Sequence, residues 1–269
     1  MSETTPTFYS RHGLHVEIYD TQTNQKWAHS TSDVVFYLEE AKTTGGPVLE
    51  LGCGTGRILV PLLETGLEIH GLDSSTAMLD VAKQKRAKLP VEIAQRLHLH
   101  HGDMSQFDLD HKFALIYIAF RSFQILVTPE AQLACLACIR RHLAPNGKVI
   151  INLFDPLYSL MVPGRQESTV APRQHVHPVS GNRVVVETLE RVNDPLTQTF
   201  TERWRFTESD AADVIVRQEE EQLHLRWTFR AEMRHLIARS EFVVEAEYSD
   251  FHRSPPAYAK EQIWILKTV

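Results

Sequence analysis

The sequence predicts an α/β fold built on a mainly parallel sheet with helices on both faces. Three observations carry this reading. Short apolar runs alternate with helical patterns from residue 33 to 155, a glycine-rich loop follows the first run, and an acid closes each of the next two. Strands joined by helical crossovers give a parallel sheet, because each crossover must return the chain to the same edge.

The elements follow in order. Residues 33–42 form a helix with Asp33 as N-cap, stopped by Gly45-Gly46-Pro47. P-V-L-E-L is the first strand and G-C-G-T-G its turn, and a helix then runs to Gly66. Residues 67–73 make the second strand, and a serine caps the helix after it. Strands three and four are 96–103 and 113–120, the latter apolar enough to be buried on both faces. A helix over 128–147 has proline near its start and Pro145-Asn146-Gly147 past its end, and 148–154 is strand five. Beyond Pro156 the pattern becomes alternating and β-rich, with strands at 183–192, 197–207 and 213–226. A helix at 228–240 and two closing strands return to the main sheet. The expected organisation is an N-terminal lid segment (1–32), a cofactor-binding domain (33–155 and 227–269) and a β-rich substrate or dimerisation insertion (156–226).

Composition narrows the function. The formal charge is -6 and no Lys/Arg block occurs, which disfavours nucleic acid as partner. No stretch approaches the length of a membrane span, and the N-terminus lacks a signal pattern, so a cytoplasmic protein is expected. The three cysteines do not suggest a disulfide framework; Cys135 and Cys138, flanked by Leu133, Leu136 and Ile139, read as core residues. The 14 histidines read as surface or satisfied side chains, and no metal ligand set is named.

The stretch V-L-E-L-G-C-G-T-G (48–56) carries most of the functional signal. Ligands of open α/β sheets bind beyond the carboxyl ends of the strands, where glycines let the backbone come close. A dinucleotide fold would show G-x-G-x-x-G facing a pyrophosphate. Here the spacing is G-x-G-x-G and Glu50 lies two residues ahead; it would repel a phosphate and favour a cation. Asp73, ending the second strand, can accept both hydroxyls of a ribose. Gly102-Asp103-Met104, ending the third, offers an acceptor for an adenine amino group and a thioether for its face.

These three stretches, with G-L-D-S-S-T-A-M-L around Asp73, resemble the first three motifs of class I S-adenosylmethionine-dependent methyltransferases. The resemblance implies a Rossmann-like seven-stranded sheet with a reversed C-terminal hairpin. It implies S-adenosyl-L-methionine as cofactor, S-adenosyl-L-homocysteine as product, and a small-molecule N, O or C nucleophile as acceptor. It places Gly52, Cys53, Gly54 and Gly56 under the methionine part, with Glu50 supporting the loop or the ammonium. Asp73, Ser74 and Met78 fall at the ribose, and Gly102, Asp103 and Met104 at the adenine. Ala119, Phe120 and Arg121 fall at the methionine and the incoming nucleophile. The early Tyr19-Asp20 and the insertion after strand five are similar to aminosugar and glycine N-methylating members, in which N-terminal aromatics close over the cofactor; Tyr9, Tyr19 and Trp27 are the candidates. Strand four ends in A-F-R-S rather than N-P-P-Y or D-P-P-Y, which departs from nucleic-acid amino methyltransferases.

Methyl transfer from a sulfonium depends mainly on aligning donor and acceptor. A base is needed only if the acceptor holds its proton, and Asp155, Tyr158, His224, Tyr248 and His252 are its candidates. Arg121 is a candidate for holding a substrate anion. An NAD(P)-dependent oxidoreductase and a non-catalytic cofactor-binding module are the alternatives. A monomer or homodimer is expected.

Overall fold

The computed structural model describes residues 8–9, 11–26, 30–167 and 170–269, and the chain divides into two compact units. One contains Thr31–Leu157 and Arg226–Val269, the other Met1–Ser30 and Tyr158–Leu225. In chain order the helices are α1 (Leu14–Glu17), α2 (Tyr19–Lys26), α3 (Ser30–Thr44), α4 (Leu59–Leu62), α5 (Thr76–Ala87), α6 (Val91–Ala94), α7 (Pro129–His142) and α8 (Arg230–Arg239). The strands are β1 (Val48–Leu51), β2 (Ile69–Asp73), β3 (Leu97–His101), β4 (Phe113–Ile118), β5 (Leu143–Phe154), β6 (Gly164–Glu167), β7 (Arg173–Val176), β8 (Arg183–Asp194), β9 (Thr199–Ser209), β10 (Ile215–Arg226), β11 (Phe242–Tyr248) and β12 (Glu261–Thr268).

The larger unit is a seven-stranded sheet in the order β11-β12-β5-β4-β1-β2-β3. Strands β1 to β5 are parallel, and β12 runs antiparallel between β5 and β11. This is the expected parallel sheet with its reversed hairpin. Every residue of β1 is buried. Leu49 and Leu51 face a core filled by Leu136 and Ile139 of α7 and Met233 and Ile237 of α8. Val48 and Glu50 point the other way, where Phe36 and Tyr37 of α3, Leu59 and Leu62 of α4 and Leu79 of α5 pack. Cys135 and Cys138 are buried in the first of these cores.

Local chemistry sets the element ends. Ser75 caps α5, its side chain accepting from the Met78 N–H, and Thr128 caps α7 in the same way from Ala131. The fourth helix is shorter than its sequence pattern. It gives way to a 3-10 turn at Leu63–Thr65, and Gly66 closes that turn at φ 78°. The strand after α7 begins at Leu143, so the Pro145-Asn146-Gly147 punctuation lies inside an extended segment. Helix α3 starts at Ser30, ahead of Asp33, which leaves that carboxylate in the first turn and paired with Arg57.

The smaller unit is a five-stranded antiparallel sheet, β10-β9-β8-β6, with β7 also paired to β8. Three of its strands match the alternating patterns. Strands β6 and β7 were not expected, since G-R-Q-E and R-Q-H-V carry no apolar alternation. The N-terminal residues of this unit form α1 and α2, and Leu14 and Ile18 pack on Val184, Val186 and Phe206 in its small core. Among the described residues, no helix is long and apolar enough to cross a membrane.

Candidate cofactor site

The glycine loop leaves β1 and is tied to the end of β2. The N–H groups of Gly52 and Cys53 donate to the Leu72 carbonyl at 2.7 and 3.1 Å, and the Gly54 N–H donates to Asp73 Oδ2 at 2.7 Å. Asp73 Oδ1 accepts from the Ser75 N–H at 2.8 Å. One carboxylate therefore links the loop to the start of α5. Burial pushes the Asp73 carboxyl above its usual range, and the two backbone donors oppose that rise.

Gly52 needs to be glycine on two counts. Its φ is +73°, and a Cβ there would lie 2.8 Å from Ser122 Cβ. A Cβ at Gly54 would meet the Met78 methyl at 3.1 Å, and Met104 lies beside Gly52. Met78, Met104 and Ser122 thus pack close against the loop backbone.

Glu50 is 3% exposed and sits in register with Tyr117 of β4, whose hydroxyl donates to it at 3.1 Å. Tyr37 stacks on Tyr117 with ring centroids 4.5 Å apart. Burial pushes the Glu50 carboxyl up to about 8, with Arg57 and the Tyr117 hydroxyl pulling it back. Arg57 is held bidentate by Asp33, at 2.5 and 3.1 Å, and lies 5.3 Å over the Phe120 ring. Motif reasoning on Glu50 passed over Tyr37, Tyr117 and the Asp33–Arg57 pair. The only sequence trace of them is polar groups on otherwise apolar segments.

The remaining positions scatter more. The Gly102 N–H donates to the Asp73 carbonyl at 3.0 Å, and His101 Nε2 lies 3.0 Å from the Ser74 carbonyl oxygen. Asp103 is exposed and accepts from both the N–H and hydroxyl of Ser105. Ala119 is buried, while Phe120 and Arg121 both take positive φ, 50° and 69°. Two consecutive non-glycine residues in that region mark a strained turn at the end of β4. Arg121 pairs with Glu261 at 2.5 Å, and Glu261 also accepts from Asn152.

Asp155 is 7% exposed and accepts from the Ala259 N–H, the Gln262 amide and Arg230. His252 is exposed on the segment after β11. Tyr9, Tyr19, Tyr158 and His224 belong to the smaller unit. There Tyr9 contacts Tyr19 edge-on at 5.9 Å and also packs on His15, while Tyr158 and His224 are exposed. Trp27 lies outside the described residues.

Strand order, glycine loop and strand-end acids resemble those of class I S-adenosylmethionine-dependent methyltransferases, and residues 48–147 match the family model described as a methyltransferase domain. The chain is 29% identical over 191 residues to the dTDP-3-amino-3,4,6-trideoxy-alpha-D-glucopyranose N,N-dimethyltransferase of Streptomyces venezuelae, a match covering 67% of this chain and 77% of that one. It is 28% identical to the cypemycin N-terminal methyltransferase of a Streptomyces species over 58% of this chain, and the match spans only 60% of that enzyme's length. Among solved structures, the CcbJ methyltransferase from Streptomyces caelestis superposes with a TM-score of 0.75 at 21% identity, covering 98% of each chain.

The residues present fit the family's cofactor, S-adenosylmethionine. The loop comes close to its neighbours only because Gly52 and Gly54 lack a Cβ, which would meet Ser122 and Met78. Glu50 is a buried carboxyl whose charged form a cationic ligand would favour. A carboxylate offers about four acceptor positions, so Asp73 has room for two hydroxyl donors beyond Gly54 and Ser75.

Proposed function

We propose that the protein transfers a methyl group from S-adenosylmethionine to the nitrogen of a small amine, with an amino sugar as the leading acceptor class. The carrying observation is Asp73, fixed between the Gly54 and Ser75 N–H groups with acceptor capacity left over. The acceptor class is drawn from the amino-sugar and peptide N-terminal enzymes similar to this chain.

In this reading the cofactor supplies an electrophilic methyl on a sulfonium, and the protein holds it for in-line attack. Gly52, Cys53, Gly54 and Gly56 receive the methionine part. Glu50, kept ready by the Tyr117 hydroxyl, answers the ammonium. Asp73 takes the ribose hydroxyls, with Ser74 and Met78 beside it. Gly102, Asp103 and Met104 frame the adenine, and Ala119 and Phe120 bound the methyl. Arg121 is better read as an orienter of Glu261 than as an anion hook, and Asp155 as the clamp that joins β5 to β12. His252, exposed in the same unit as the glycine loop, is the group offered to take a proton from an ammonium acceptor.

The test is transfer of labelled methyl groups to a panel of dTDP-amino sugars, amino-terminal peptides and matched hydroxy analogues. Label on the amines alone is the expected result. Label on the hydroxy analogues would reassign the acceptor, and cofactor binding without transfer to any of them would make the protein a non-catalytic binder.

A further inference from the structure

The outer edge of the seven-stranded sheet gathers imidazoles around one carboxylate, towards the start of β2 and β3 rather than at the strand ends that carry the glycine loop and Asp73. Glu68 immediately precedes β2, and His70 of β2 stands in register with His98 of β3. Residues opposite one another in a sheet present their side chains to one face, and these two rings stack at 4.6 Å. His111, just before β4, brings a further ring 4.9 Å from His70. Glu68 Oε1 lies 3.0 Å from His70 Nε2, 3.3 Å from His98 Nε2 and 3.5 Å from His111 Nε2. The ligand atoms of Glu68, His70 and His98 all fall within 4.8 Å of one another.

Those spacings have a chemical meaning. A tetrahedral zinc ion with ligands at roughly 2.0–2.2 Å separates its donor atoms by about 3.3–3.6 Å. Two imidazoles and a carboxylate are a donor set that suits zinc among the divalent metals. We propose that Glu68, His70 and His98 form a zinc site, its fourth position filled by solvent or by a small shift of the neighbouring His111.

The surroundings agree with this assignment. A metal on His70 Nε2 puts the ring proton on Nδ1, which lies 3.0 Å from His100 Nε2. His100 would then be the outer acceptor that fixes the tautomer of His70. His70 itself is 4% exposed, while the other ligands are half-exposed, so the ion would have a path in from solvent. His70 lies three residues, roughly 10 Å, along the strand from Asp73. An ion there would fasten β3 and the segment after it to β2 without reaching the methyl-transfer centre. That segment begins at Gly102-Asp103-Met104, so the clip would steady the proposed adenine end of the cofactor site. The competing arrangement is a metal-free cluster in which Glu68 accepts from the three rings.

The test uses full-length protein prepared without a histidine tag, stripped with chelator and titrated with Zn²⁺ against a chromophoric competitor. Co²⁺ in place of zinc reports the geometry through its visible absorption. The expected result is one equivalent per chain with the intense cobalt bands of a tetrahedral site. Glu68→Ala and His98→Ala should each weaken zinc by at least about 100-fold, and His100→Ala by roughly 10–100-fold. His235→Ala, on the exposed side of α8, should change nothing. Circular dichroism of each variant separates lost ligation from lost fold. Failure of the stripped protein to take up one equivalent would overturn the site, as would uptake undiminished in both Glu68→Ala and His98→Ala. These readouts need no cofactor and are independent of the acceptor assignment.

Discussion

The five-stranded sheet and the glycine loop hold their carboxylates in different ways. In the smaller unit, carboxylates and guanidiniums neutralise one another across the strands. Glu220 accepts from Arg203 at 2.8 Å and Arg205 at 2.7 Å, Glu190 accepts from Arg203 and Arg165, and Glu202 accepts from Arg191 and the Trp204 indole. At the glycine loop of the larger unit, Glu50 and Asp73 are held by a tyrosine hydroxyl and by backbone N–H groups instead. The first arrangement satisfies its charges internally. The second leaves acceptor capacity in a buried place, which is what a cationic, hydroxyl-bearing ligand would use.

The comparison is sharpened first in the small core. Phe206 is fully buried there with Leu14, Ile18, Val184 and Val186. Phe206→Ala should cost about 3–5 kcal/mol, read by denaturant unfolding of the full chain. A loss under about 1 kcal/mol would show that this core is not what holds the unit together.

Asp73→Asn comes next. Losing the charge that receives two backbone donors, and by proposal two ribose hydroxyls, should weaken S-adenosylmethionine binding by about 3 kcal/mol, roughly 100-fold. An affinity within a few-fold of the parent would remove Asp73 from the site.

Glu50 gives a pH signature. Burial pushes its folded carboxyl up to about 8 from an ordinary 4.5, so between those limits the folded chain keeps a proton that the unfolded chain has lost. Its contribution to stability is greatest below 4.5 and falls as pH rises through 8, on the order of 1 kcal/mol per unit. Glu50→Gln cannot lose that proton. Its melting temperature relative to the parent should therefore climb from pH 5 to 8, and a flat difference would contradict the buried-acid account.

The smallest effect is expected on the ion-pair sheet. Glu220→Gln removes half-exposed pairs to Arg203 and Arg205 and should cost less than about 1 kcal/mol, diminishing further in salt.

Much of the larger sheet was legible because its strands are continuous apolar runs that a two-faced core demands, and because glycines and prolines punctuate them. The three strand-end motifs were legible for the same reason: L-E-L-G-C-G-T-G has no use in a plain turn. What escaped reading depends on pairing across the chain. Nothing near Glu50 announces Tyr117, 67 residues away, or places Tyr37 on it. Glu68 becomes a neighbour of His98 only when β2 and β3 align in register. Strands β6 and β7 escaped because they are short and almost wholly polar, with no apolar alternation to mark them. Asp33 fits the pattern of a helix cap, yet the helix starts earlier and the carboxylate goes to Arg57.

The most direct test of the central claim is calorimetric titration of the protein with S-adenosylmethionine, S-adenosylhomocysteine and NAD. The account predicts micromolar binding of the first two at one site per chain and none of the third. Binding of NAD without S-adenosylmethionine would contradict the assignment of the glycine loop, Glu50 and Asp73 together.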